Sequence, residues 1–352
     1  MKEVSFMNRV IEIFDSTLRD GAQGEGISFS VEDKLAITRL LDELGVTFVE
    51  AGNPGSNPKD LEFFRRVSKL KLKNTQLVAF GSTRRKNIAV EQDANVKALL
   101  TANTKIVALF GKCWDLHVRD ILRTTEDENL NMIADTVAFF KSEGKLVIFD
   151  AEHFFDGYKT NPQFALKALK AAEDAGADVL VLCDTNGGTF PNDVYEITKT
   201  VVQKTKTAVG IHAHNDGGMA VANSIMAVEA GAVHVQGTYL GFGERSGNAN
   251  LSSIIANLQL KRGYHCIDPD KMKLLTSTAR NMAEIANVRL ERGTPYVGGS
   301  AFAHKAGMHA DGVLKNSETF EHIPPEAVGN ERRFLMSEIS GRTAVLKKIQ
   351  HF

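Results

Sequence analysis

Two histidines placed two residues apart, His212 and His214, stand at the end of an apolar, β-branched run, AVGIHAHN (208–215). Side chains alternate along a strand, so both imidazoles face the same side. Near the amino terminus a second run, VIEIFD (10–15), passes directly into Ser16-Thr17-Leu18-Arg19-Asp20-Gly21-Ala22-Gln23, which sets a cation beside a carboxylate. If Asp20 meets the two histidines, the resulting two nitrogens and one oxygen suit a mid-row or hard divalent ion that keeps open positions for a substrate chelate. Taken singly, each feature has an ordinary explanation. An Arg-Asp neighbour pair is commonly a surface ion pair, and a lone strand-end histidine is commonly structural. The combination is what favours a metal.

Further polar groups close other apolar runs. Glu50 lies in TFVEAG (47–52), Phe149-Asp150-Ala151-Glu152-His153 ends KLVIFDAE (145–152), and Cys183-Asp184-Thr185-Asn186-Gly187-Gly188 ends DVLVLCDT (178–185). Arg84 and Arg85 follow TQLVAFG (75–81), where they read equally well as solvated surface. After AVHVQGT (232–238) comes a glycine-rich loop running to Asn250. Its spacing is GxGxxxG, and it follows the last strand rather than the first, so a dinucleotide fingerprint is rejected. The glycines read as turn residues needing positive φ, and Asn248 can offer a neutral oxygen ligand.

These residues need elements that gather them. With VIEIFD and KIVALFG (105–111) the strands number eight, each followed by a helix-like stretch, which is the signature of βα repeats around a parallel sheet. Glycine just before the next strand, as in DELGVTFVE, KSEGKLVIF, EDAGADVLV and VEAGAVHVQ, marks helix ends. Eight such units close into a (β/α)8 TIM barrel, whose active site lies at the C-terminal ends of the strands. The barrel is expected over residues 1–265. A smaller, mostly helical lobe is expected over 266–352, opening with one amphipathic helix, PDKMKLLTSTARNMAEIANV (269–288), and still helix-like at Gln350-His351-Phe352.

Composition excludes several classes of function. With 42 basic against 43 acidic residues the net charge is −1, so no general field attracts nucleic acid or an anionic membrane. At 43% hydrophobic and 24% charged, the 352 residues can bury a large core. The absence of an export segment or a long apolar run argues against a membrane protein. Three widely spaced cysteines, Cys113, Cys183 and Cys266, fit reduced thiols and a cytoplasmic location.

Four motifs, TLRDGAQ (17–23), HAHND (212–216), GFGERSGNANL (241–251) and HKAGMHADGVLKN (304–316), occur in the order found in one family. The whole chain resembles the acyl-CoA-condensing metalloenzymes that include isopropylmalate, homocitrate and citramalate synthases and the hydroxymethylglutaryl-CoA lyases. The phrases EAGNPGSNPKD, FDAEHFFDGYKTNP, LCDTNGGTFP and EHIPPEAVGNERR look most like the citramalate synthase branch. The resemblance implies condensation of acetyl-CoA with a small 2-oxo acid, pyruvate first. It implies a divalent metal (Mn²⁺, Mg²⁺, Co²⁺ or Zn²⁺) on Asp20, His212 and His214, with Asn248 a further or outer ligand. It gives Arg19 the developing alkoxide, Thr185 the acceptor carboxylate, and Glu50 the ordering of water or substrate. It gives Glu152 and His309 the enolisation of acetyl-CoA and the hydrolysis that follows. Phe320, where the family commonly has tyrosine, and Asn53, where an aromatic often stands, depart from the pattern. Full-length relatives carry a C-terminal regulatory domain, and this chain is expected to stop before it.

Two rival readings remain at this point. A lyase would run the carbon–carbon chemistry backward, but lyases resemble only the barrel. A non-catalytic metal- or CoA-binding regulator sits poorly with an intact Arg19 and Glu152. A homodimer in which each tail brings its His309 to the partner's barrel is expected, because the tail's return over its own mouth is not assured.

Overall fold

The eight apolar runs form strands in the expected order, each within three residues of the length of its run. The computed structural model describes residues 9–305 and 307–335, so the expected helical character at 350–352 lies outside the described residues. The strands are β1 (Glu12–Asp15), β2 (Phe48–Gly52), β3 (Gln76–Ser82), β4 (Ile106–Lys112), β5 (Leu146–Glu152), β6 (Val179–Asp184), β7 (Ala208–Ala213) and β8 (His234–Gly237). All pair in parallel, and β8 returns to β1 through Glu12 opposite His234 and Asp15 opposite Gly237, closing the barrel.

Period-two alternation divides each strand between two cores. Outward side chains such as Ile13, Val49, Leu109, Phe149 and Ile211 pack under the surrounding helices. Inward ones, Phe14, Phe48, Val78, Ile106, Ile148, Val179 and Val181, fill the lower interior of the barrel. Further along the same inward register the residues turn polar: Glu50 on β2, Asp150 and Glu152 on β5, His212 on β7 and Gln236 on β8. Along β2 and β5 the inward face therefore runs from an apolar floor to a polar mouth.

The helix-ending glycines behave as expected, Gly45, Gly144, Gly176 and Gly231 all adopting positive φ. The long amphipathic segment is not a single helix. Pro269–Leu274 forms a 3-10 turn capped by Asp268, and the α-helix proper runs Leu275–Ile285. Both windings can place apolar residues on one face, so the pattern overstates the helix length. In the tail, Ala303–His304 pairs in parallel with Arg333–Phe334, and the helix Gly307–Lys315 lies between them in sequence. A buried Glu321 accepts from Arg332 Nε at 2.7 Å and lies 3.0 Å from His304 Nε2, tying these pieces together. Among the described residues no helix is long and apolar enough to cross a membrane. All three cysteines are free and buried.

Candidate active site

Strand β1 ends where Asp15 accepts the Thr17 amide, and the chain then turns so that Arg19 and Asp20 reach the barrel mouth. Asp20 Oδ2 lies 3.3 Å from His212 Nε2 and 3.7 Å from His214 Nε2, and the two Nε2 atoms are 3.3 Å apart. All three residues are buried. Burial pushes the Asp20 carboxyl upward, but Arg19 and the two imidazoles outweigh it and hold the group well below the usual carboxylate range. His214 moves the other way, lowered to about 4 by burial and by His212. Burial also lowers His212, but the neighbouring Asp20 carboxylate prevails and raises it.

Asn248 reaches the same place through the loop after β8. Ala249 donates to Ala213 O at 3.0 Å, and Asn248 bridges His214 in the antiparallel sense. This fold-back needs its glycines. A Cβ on Gly247 (φ 85°) would lie 2.1 Å from Gly241 O, and one on Gly243 (φ 153°) would lie 2.2 Å from Asn248 Nδ2. The amide nitrogen of Asn248 donates to Phe242 O, while its buried Oδ1 has no partner.

That orphaned oxygen and the mutual spacing of the other three atoms test the fit of a cation. Ligands about 2.1 Å from an ion and subtending 90–109° stand about 3.0–3.4 Å apart, close to what is observed. Two imidazole nitrogens and a carboxylate oxygen all turned inward fit a divalent ion better than they fit one another. Asp20, His212 and His214 therefore form a possible metal site.

Beside it, Arg19 is fixed from three directions. Its Nε donates to Glu50 Oε2 at 2.6 Å, its Nη1 lies 3.7 Å from Asp20, and its guanidinium carbon sits 3.8 Å over the Phe80 ring. Ser16 Oγ donates to the same Glu50 oxygen, leaving Glu50 Oε1 buried without a partner. Phe80 stacks on Phe110 at 5.3 Å. A cavity of about 350 Å³ opens over these groups, lined among others by Arg19, Asp20, Asn53, Asp150, Glu152, Thr185, His212, His214 and Arg245.

Glu152 pairs with Lys112 at the end of β4. Thr185 Oγ1 accepts from the His153 amide at 2.9 Å, which steadies it on the rim. Asp150 is pushed up to about 7 by burial first and by Glu50 second. Arg245 donates to Asp216 and to Thr185 O, strapping the glycine loop to β6 and β7.

The structure thus gathers Arg19, Asp20, Glu50, Glu152, Thr185, His212, His214 and Asn248 around one mouth. It does not bring His309 there. His309 is exposed on the helix Gly307–Lys315, its ring 4.4 Å from that of Phe320, and it is not among the residues lining the cavity. Five participants were not singled out from the sequence: Ser16, Phe80, Lys112, Arg245 and Gln236. Alternation could have found the last, because a glutamine on the inward register of an apolar strand must meet a polar partner.

Fold and site together define a TIM-barrel protein with a possible metal centre at its strand ends. A family model described as HMGL-like matches residues 10–288, and one described as homocitrate synthase post-HMGL domain-like matches residues 296–352. The chain belongs to the HMGL-like family. It is 56% identical, over 98% of its length, to the (R)-citramalate synthase of Aquifex aeolicus, and 53% identical, over 97%, to that of Synechocystis. It spans 66% and 64% of those relatives' own lengths. The solved HMG-CoA lyase of Brucella melitensis shares the fold with a TM-score of 0.66 at 18% identity, covering 79% of this chain and 99% of its own.

Proposed function

We propose that this protein condenses acetyl-CoA with pyruvate, giving citramalate and free CoA. The observation that carries the reading is the Asp20, His212 and His214 cluster beneath an immobilised Arg19, in a chain 48–56% identical to five proteins named (R)-citramalate synthase. Asp20, His212 and His214 would hold a divalent ion, with Asn248 as a further or outer ligand. Such an ion, when bound, supplies Lewis acidity to a chelated 2-oxo acid. Mn²⁺, Mg²⁺ and Co²⁺ suit this donor set, and Zn²⁺ is compatible with it.

The chain's own groups perform the rest. Arg19, locked by Glu50 and Phe80, presents a fixed cation where alkoxide charge develops, so little reorganisation is needed during reaction. Thr185 hydrogen-bonds the acceptor carboxylate. Glu152, held in place by Lys112, takes the α-proton of acetyl-CoA from a position inside the cavity wall. Glu50 orders water or substrate through its free oxygen. His309 completes the site from the tail of a second subunit in a homodimer, and the lobe from 266 onward covers the barrel of 1–265. Buried reduced thiols fit a cytoplasmic setting.

A second reading, a synthase for a different 2-oxo acid, is favoured by Asn53, which faces the mouth where relatives often place an aromatic ring. Free-thiol release with pyruvate, 2-oxobutyrate, 2-oxoisovalerate, 2-oxoglutarate and oxaloacetate separates the two. Pyruvate is expected to give the highest kcat/KM. Preference for another acid transfers the assignment to that acid, and no thiol release with any of them removes the synthase reading.

A further inference from the structure

The ligand His212 has a second ring nitrogen, and its partner is a fully buried residue with no role so far. His212 Nδ1 lies 3.0 Å from Gln236 Oε1, and Gln236 Nε2 donates to Asp150 Oδ1 at 2.9 Å. Both Gln236 and Asp150 are buried, and Asp150 lines the mouth cavity while Gln236 does not. The chain Asp150, Gln236, His212 therefore runs from the cavity wall to the possible metal site inside the barrel.

The direction of this chain follows from donor and acceptor chemistry. A glutamine amide has a donor end and an acceptor end, and which end faces which neighbour is decided by the surrounding network. Asp150 Oδ1 accepts whether or not the other carboxyl oxygen carries a proton, so it draws the amide nitrogen towards itself. Gln236 must then turn its oxygen to His212, and an oxygen there requires a proton on Nδ1. The Nε2 lone pair is left facing Asp20 and His214. Without that acceptor, Asp20 Oδ2 at 3.3 Å would draw the single imidazole proton to Nε2, the nitrogen a cation needs.

We propose that Gln236, oriented by Asp150, is a positioning residue that fixes the His212 tautomer competent to bind the metal. This rests on the metal reading given above and extends it to residues outside the proposed ligand set. Outer partners of this kind change metal affinity by about 10–100-fold when removed.

The test measures Mn²⁺ binding to the metal-stripped full chain by calorimetry, with thermal unfolding as the folding control. Gln236→Met keeps the length and bulk of the side chain but has no acceptor, and its Kd should rise by about 10–100-fold with the folded fraction unchanged. The double variant Asp150→Asn with Gln236→Glu keeps a donor on the first residue and an acceptor on the second, so its Kd should return close to the wild-type value. Should Gln236→Met bind Mn²⁺ like the wild type, or should both variants lose affinity equally, the tautomer role is wrong. If Gln236→Met fails to fold, Asp150→Asn alone decides, since an amide at that position no longer dictates which end of Gln236 faces His212; unchanged affinity there overturns the proposal. Wild-type protein that takes up no Mn²⁺ overturns the metal reading and this inference together, whereas wild-type uptake with undiminished variants overturns the inference alone.

Discussion

At the scale of single residues, the mouth separates groups that would hold an ion from groups that would only face it. His212→Ala removes one of three inward-facing ligands and should abolish measurable Mn²⁺ uptake. Arg19→Lys should leave uptake intact and depress kcat, because an ammonium cannot hold Glu50 and stack on Phe80 in the way a planar guanidinium does. Equal loss of metal in both would mean that Arg19 has the wrong role. Asp15 gives a pH prediction. Burial raises its carboxyl to about 7, opposed by bonds from Thr17, while the unfolded value stays near 3.8. A group raised on folding lends full stability below its unfolded value and loses it as pH rises through the folded one. Relative to Asp15→Asn, the wild type should therefore lose stability between about pH 4 and 7, by on the order of 4 kcal/mol at most. Urea unfolding of the two proteins at pH 5 and pH 8 measures the divergence, and parallel pH profiles would contradict it.

At the scale of elements, the connection after β2 shows how a buried ion pair shapes the mouth from outside it. Lys34, on the helix Val31–Leu44, pairs with Asp60 on the helix Pro58–Val67, and Asp60 also accepts the Asn53 amide at 2.9 Å. Gly52 adopts a φ of 145°, where a Cβ would meet the Asp60 carboxyl at 2.4 Å. Lys34→Met strands a buried carboxylate and should cost about 3–5 kcal/mol, with a raised KM for the 2-oxo acid because Asp60, which anchors the Asn53 amide, loses the cation that holds it in place. A stability loss with unchanged KM would show that the loop keeps its shape without the pair.

The elements were also where the sequence spoke most clearly. Apolar, β-branched runs, four of them preceded by a helix-ending glycine, located all eight strands, and alternation placed His212 beside His214. Alternation names the face and not the partner, so the Lys112 pairing with Glu152 and the Gln236 chain needed coordinates. The 3-10 turn at Pro269 was hidden for a similar reason, since its apolar spacing imitates the helix that follows it.

At the scale of the whole molecule, the one residue of the proposed machinery that a single chain leaves apart is His309. In the proposed homodimer its destination is a property of assembly, which no pattern within one sequence encodes. If each tail serves the neighbouring barrel, mixing inactive His309→Ala with inactive Asp20→Ala should restore up to about a quarter of wild-type activity, because random exchange makes half the dimers mixed and each carries one intact site. Demonstrated subunit exchange with no recovery would rule out the shared site.

The closed ring has one more property. β1 and β7 both flank β8, so Asp20 and the two histidines stand on either side of the seam where the first and last strands of the barrel meet. A cation shared between them would act as a removable cross-link across that seam, tying the first strand of the barrel to its seventh. Closing so long a loop is entropically slow and costly, and the ion would reward only the completed ring. At a free concentration one hundred times its Kd it would add about 2.7 kcal/mol to the folded state. The melting temperature of this barrel would then serve as a readout of metal supply, and a cell short of the ion would hold a protein that is less durable as well as less active.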